Sequence, residues 1–185
     1  IIVIDEIIKL CNENNENHNK NKLKWKNKLF LIIPIRIGIN NINPIYIETL
    51  IRLLSLKQSV GFIGGKPMKS FYFIGYRGKN LIYLDPHKVN NNVIFDDCFP
   101  NIKDLLSYHC LIPNEININK IDPSLSIGFF IDSQNDFDSF CESIKKINET
   151  NSLFFEIINS KKDLKFLNEN INCFKKNNYD SDDED

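Results

Sequence analysis

Two β-rich runs separated by a four-residue turn constrain this chain more than any other feature. Phe71 to Tyr76 and Leu81 to Leu84 are dense in aromatic and β-branched residues, and Arg77-Gly78-Lys79-Asn80 between them is a tight-turn sequence. Parallel strands need a crossover of a dozen residues or more, so runs this close in sequence pair antiparallel. Val60 to Ile63 reads as a short strand just upstream, with Gly64-Gly65-Lys66-Pro67 as a glycine-rich loop after it. Leu29 to Ile37 (LFLIIPIRI) reads as a buried strand whose Pro34 marks an edge or a bulge. Ser124 to Ile131 (SLSIGFFI) and Leu153 to Ile158 (LFFEII) read as two more.

Helical spacing appears in three places. Ile1 to Leu10 fits the end of a helix. Pro44 to Leu56 starts with proline in the first turn and puts Ile45, Leu50, Leu53 and Leu54 on one face. Ser133 caps a helix from about Asn135 to Ile147, with Phe137, Phe140, Cys141 and Ile144 inward. Lys161 to Phe174 is a fourth helical candidate. This order predicts an α+β domain with a mainly antiparallel sheet and flanking helices, and it argues against a doubly wound parallel sheet. The segments are residues 1–22, a helix end plus the polar low-complexity run 12–22; residues 23–175, the domain; and residues 176–185, an acidic disordered tail. Residues 88–104 read as an irregular connection.

The formal net charge of −1 argues against a general nucleic-acid or membrane-surface binder. A 42% hydrophobic composition is enough for a core. The final residues Tyr179 to Asp185 are strongly acidic and read as a solvated tail, with docking to a basic surface as the rival reading. Cys11, Cys98, Cys110, Cys141 and Cys173 are odd in number and none has CxxC spacing, so neither a disulfide framework nor a zinc site is expected. Free thiols fit a reducing, cytoplasmic setting. The opening Ile1-Ile2-Val3-Ile4 is interrupted at once by Asp5 and Glu6, unlike a signal peptide or a membrane span. The chain starts without Met, which reads as a fragment or a processed product.

Three motifs could carry chemistry. Asp85-Pro86-His87 puts a carboxylate and an imidazole two residues apart, on one face if the segment is extended. An imidazole beside a carboxylate is two-thirds of a nucleophilic triad. The competing reading is a turn in which Asp85 bonds the backbone. Gly64-Gly65-Lys66-Pro67 lacks the GxxxxGK[ST] spacing and the following helix of a phosphate loop, which leaves a mobile turn or a gate beside a cleft. His109 and Cys110 are neighbours that a strand would point to opposite faces, so they are read as structural. His18 lies in the polar run and reads as solvated, and Trp25 sits between Lys24 and Lys26 with no cysteine beside it.

Taken in order, IPIRIGINNINPIYIETL, SVGFIGGKP, SFYFIGYRGKNLIYLDPH, SYHC, IDPSLSIGFFI, DFDSFC and FFEI resemble the C-terminal half of the autophagin family, the autophagy-related cysteine peptidases. The resemblance covers roughly Leu29 to Ile157. It implies a papain-like α+β fold, incomplete here because the N-terminal helical part is missing. It implies His87 as general base and Asp85 as the group that orients it. It makes Gly64, Gly65, Lys66, Pro67, Met68 and Lys69 a substrate-gating loop. The implied partner is a ubiquitin-like autophagy protein, cleaved after its C-terminal glycine either as a precursor or as its phosphatidylethanolamine conjugate. Membrane proximity would then come through the lipidated substrate only. No cofactor, metal or nucleic acid is implied. The family's nucleophile lies in a Gly-Trp-Gly-Cys segment upstream of the Asp-Pro-His, and no such segment occurs in these 185 residues. No cysteine of this chain is assigned as nucleophile, and the isolated chain is expected to be inactive. The alternative is a truncated, catalytically dead paralogue that only binds the ubiquitin-like protein.

Overall fold

A computed structural model describes residues 1–12, 25–89, 91–93 and 102–163. His18, Cys98, Cys173, the acidic tail, nearly all of the polar run and most of the fourth helical candidate lie outside the described residues. The chain divides into two compact units.

The larger unit runs from Phe30 to Ile131 and takes in 146–154. It is built on a six-stranded sheet. Its strands are β2 (Leu29–Arg36), β3 (Ser59–Lys66), β4 (Lys69–Arg77), β5 (Asn80–Leu84), β6 (Asn114–Asn117) and β7 (Ser124–Ile131). The spatial order is β2-β7-β3-β4-β5-β6. The pairs β7–β3, β3–β4, β4–β5 and β5–β6 are antiparallel. Arg77 pairs with Asn80 across the two-residue loop Gly78–Lys79, and Gly78 has φ +59. A hairpin loop that follows the strand twist needs positive φ at its first central position, which glycine adopts without strain.

Alternation along β4 decides the faces. Phe71 and Phe73 are buried, while Tyr72, Ile74 and Tyr76 are exposed. Phe73 lies opposite Phe62 in register, and their rings stack with centroids 4.5 Å apart. Tyr83 adds a ring 4.3 Å from Phe71 and 5.8 Å from Phe73. On β7 the residues Leu125, Ile127, Phe129 and Ile131 are buried. Each such side chain contributes about 1.5–3 kcal/mol on leaving water, so the cluster is a large part of what stabilises this unit.

The expected buried strand 29–37 forms as β2, but it is half-buried. Leu31, Ile33 and Ile35 are partly covered, and Phe30, Ile32 and Pro34 are exposed. β2 is an edge strand, which is where a strand tolerates proline. The helix expected over Pro44–Leu56 is shorter: a 3₁₀ turn, Pro44–Tyr46, leads into α2, Ile47–Leu54. The Asn43 side-chain oxygen accepts from the Ile45 N–H at 3.2 Å. The tighter turn rotates Ile45 off the α2 face, so Leu50 and Leu53 are buried and Ile45 is not. Residues 88–104 are not wholly irregular, because Ile102–Ser107 forms a short helix, α3.

The smaller unit holds β1 (Ile2–Val3), α1 (Ile4–Cys11), most of α4 (Gln134–Thr150) and β8 (Ile157–Ile158). β1 and β8 pair in parallel over two residues each. The strand expected over 153–158 is thus reduced to its last two residues. α4 buries Phe137, Phe140, Cys141 and Ile144, the four residues its spacing predicts. The Ser133 hydroxyl accepts from the Asp136 N–H at 3.3 Å, as the cap reading requires. Trp25 packs its ring 5.7 Å from that of Phe137, a structural role.

Candidate active site

β5 ends at Leu84, which pairs with Tyr72, and the chain leaves the sheet at Asp85. Pro86 and His87 then turn instead of extending the strand. The pair therefore does not arise from the i, i+2 alternation of an extended segment. One oxygen makes it: Asp85 Oδ1 accepts the His87 backbone N–H at 3.0 Å and meets His87 Nδ1 at 2.8 Å. The turn and the carboxylate–imidazole pair, posed as alternatives by the sequence, coexist on the same atom.

The geometry has chemical consequences. An ionised carboxylate only accepts, so it selects the imidazole form protonated at Nδ1. Nε2 is then the nitrogen left to take or give a proton. The Asp85 side chain is only 13% exposed, whereas that of His87 is 51% exposed. The imidazole thus faces solvent while the carboxylate is shielded. The other oxygen, Asp85 Oδ2, lies 3.5 Å from Lys69 Nζ. The His87 backbone N–H, then the His87 ring, hold the Asp85 carboxyl below its usual range, with Lys69 adding to the effect and desolvation opposing it. What these contacts contribute to stability is present above the ordinary carboxylate pKa, about 4, and is lost as pH falls through the lowered folded value.

The expected loop Gly64–Lys69 is a hairpin tip. Gly64, Gly65 and Lys66 belong to β3 and pair with Phe71, Ser70 and Lys69 of β4. Only Pro67 and Met68 form the turn. Met68 has φ +64 and its side chain is fully exposed. Proline followed by a positive-φ residue is the type II pattern, and methionine there stores about 1–2 kcal/mol of strain. Gly65 has φ +151, and a Cβ on it would stand 2.3 Å from the Lys69 carbonyl oxygen. The paired glycines serve close backbone approach within a ladder.

Two cavities flank this hairpin and the Asp85 turn. One of about 490 Å³ has Pro34, Arg36, Gly64, Ser70, Ser124 and Ser126 in its wall, and Arg36 Nη1 donates to Ser124 Oγ at 2.7 Å. The other, about 250 Å³, has Asp85, Lys88, Tyr108, His109, Cys110 and Asn114 in its wall. Tyr108 to Cys110 follow the C-terminus of α3 and are not in a strand, so the strand argument that separated His109 from Cys110 does not apply. Sequence reasoning missed both this placement of Cys110 and the Lys69 ion pair. No residue pattern marks a contact made across a hairpin.

Among the described cysteines, Cys110 is exposed and Cys11 and Cys141 are buried. Burial pushes the Cys11 thiol up. Burial and, after it, Asp138 push Cys141 up to about 11. Thiolate is the reactive form, so a thiol held that high is inert near neutrality. Iodoacetamide at about pH 8 should therefore label Cys110 in the folded chain at least about tenfold faster than Cys141. Peptide mass spectrometry reads the two rates. Equal rates in the native state, rather than only in urea, would contradict the buried placement.

The family described as the Peptidase C54 catalytic domain matches residues 1–143. Cysteine protease ATG4B of Xenopus laevis is 40% identical over 160 residues, covering 79% of this chain and 41% of that protein. Cysteine protease ATG4A of Homo sapiens is 41% identical over 134 residues, covering 70% of this chain and 33% of that protein. Cysteine protease ATG4B of Gallus gallus is 45% identical over 122 residues, covering 64% and 30% respectively. The chain thus spans about a third to two-fifths of the length of these relatives.

Proposed function

The chain belongs to the Peptidase C54 family, the autophagins, with their papain-like α+β fold, and we propose that it supplies the base and the orienting carboxylate of an autophagy cysteine peptidase. The observation that carries the proposal is the 2.8 Å contact between Asp85 Oδ1 and His87 Nδ1, which leaves Nε2 as the nitrogen for proton transfer. In this reading Nε2 of His87 takes the thiol proton, and Asp85 stabilises the imidazolium that results. The thiolate attacks the carbonyl of the C-terminal glycine of a ubiquitin-like autophagy protein. His87 returns the proton to the leaving amine, which is a peptide in the precursor and phosphatidylethanolamine in the lipidated form. The reaction takes place in the cytoplasm, and the membrane is approached only through the lipidated substrate.

The tip around Pro67 and Met68 is flanked by Gly64 and Ser70, which line one cavity, and its neighbour Lys69 pairs with Asp85, which lines the other. A strained, exposed turn suits a gate that shifts when the substrate tail enters. The nucleophile is not Cys11 or Cys141, whose thiols are buried and raised in pKa. A second reading, a binder of the ubiquitin-like protein without turnover, draws on the same observation about the thiols.

Mixing the 185-residue chain with the ubiquitin-like precursor tests both readings. Calorimetry should show binding, and mass spectrometry should show no release of the residues after the glycine. Absence of binding at up to about 100 μM, near 5–6 kcal/mol of affinity, would remove the substrate assignment. Cleavage abolished by Cys110→Ser would move the nucleophile to Cys110. Cleavage that survives His87→Ala would remove the base.

A further inference from the structure

We propose that Lys69 is a positioning residue that ties the β3–β4 hairpin tip to the free oxygen of Asp85, so that displacement of the tip and charge at the Asp85–His87 pair are coupled. Its part in catalysis rests on the peptidase reading above; the tether itself does not.

Three observations converge on Lys69. It is the first residue of β4, directly after Met68 of the turn and opposite Lys66 in register. Its ammonium reaches Asp85 Oδ2 at 3.5 Å, whereas Oδ1 is taken by the two His87 contacts. The same ammonium stands 5.4 Å from the centroid of the Phe71 ring, two residues along the strand, which gives it an apolar rest and a π face. One cation therefore bridges the tip, the strand and the carboxylate.

The coupling follows from charge. With the tip in place, Asp85 is shared between an ammonium and an imidazole. When the tip is lifted, the ammonium leaves with it and the carboxylate's field falls on His87 alone. An imidazolium forming at His87 is then better stabilised with the gate open than with it closed. The pair would be strongest as a base partner when a substrate tail occupies the groove. The charged and titratable groups around Asp85 are His87 and Lys69, together with Lys88, Tyr108, His109 and Cys110 on the adjoining cavity wall. Lys69 alone among them belongs to the hairpin. Because its side chain is half-exposed, salt should screen the tether.

The test uses the chain as it stands, without substrate, and reads the Asp85 carboxyl carbon by NMR across an acid titration. Lys69→Met should raise the Asp85 midpoint by about 0.5 pH unit at low ionic strength, and Lys69→Arg should restore it. The same rise should appear in the unsubstituted chain at about 0.5 M salt. In the reciprocal experiment, Asp85→Asn should shift the Met68 and Lys69 amide signals. A Lys69→Met midpoint within about 0.1 unit of the parent's, or a rise that arginine does not reverse, overturns the proposal. Since no turnover is measured, failure of the peptidase reading leaves this outcome intact. Failure of the tether likewise leaves substrate binding to be judged on its own.

Discussion

Phe73→Ala should lower the stability of the sheet unit by about 3–5 kcal/mol, the range for truncating a fully buried aromatic. Phe73 has no exposed surface, and its ring touches Phe62, Phe71 and Tyr83. Two effects add. The ring's transfer free energy is lost, and the space it leaves cannot close, because its neighbours are held by antiparallel ladders on both sides. Against a typical total of about 5–15 kcal/mol, such a loss leaves a marginal fold. Urea unfolding followed by Tyr and Trp fluorescence gives the value. Phe73→Leu, which keeps most of the volume, should fall between the two. A loss under about 1 kcal/mol for Phe73→Ala would mean that the aromatic cluster is not the centre of this core.

Gly65→Ala should be the most damaging change in the candidate gate, at about 2–4 kcal/mol with disruption of the hairpin tip. Two separate objections apply to a side chain there. The backbone has φ +151, and the new Cβ would lie 2.3 Å from the Lys69 carbonyl oxygen. Gly65 itself cannot step aside, because it is paired with Ser70 and its own carbonyl accepts the Asp122 N–H. Gly78→Ala provides the contrast. It shares the positive φ, at +59, but a Cβ there meets nothing within 4 Å, so only the conformational strain of about 1–2 kcal/mol remains. Urea midpoints and amide spectra of the two variants separate clash from strain. Equal losses would show that the close approach at Gly65 relaxes freely.

The antiparallel core was legible because its signals are local. Arg77-Gly78-Lys79-Asn80 names its own turn, and the Phe71/Phe73 alternation names its own face. Helix α4 was legible for the same reason, through a serine cap and a 3.6-residue spacing. β6 escaped notice because Asn-Glu-Ile-Asn has neither alternation nor β-branched density, and it is a strand only because β5 offers it an edge. The glycine pair was misplaced into a loop because glycine signals turns in general. Here it serves a tight ladder, which depends on where Lys69 comes back. At the site, Asp85 and His87 could be paired from their spacing, but the turn that joins them was set against the pairing as a rival. Lys69 could not be found, since its partner is 16 residues away and a hairpin brings them together.

The Asp85 turn has a consequence for how such a site comes into being. Some contacts in this sheet join residues distant in the chain, such as Asn80 with Glu115 at a separation of 35. The contact between Asp85 and His87 closes a loop of two residues, and proline already restricts the residue between them. Its closure entropy is small and independent of the long-range pairing around it. The carboxylate–imidazole geometry is therefore a nearly autonomous local structure. It can form early in folding and can survive breathing of the sheet. A carboxylate–imidazole pair written into three consecutive residues draws its geometry first from those residues.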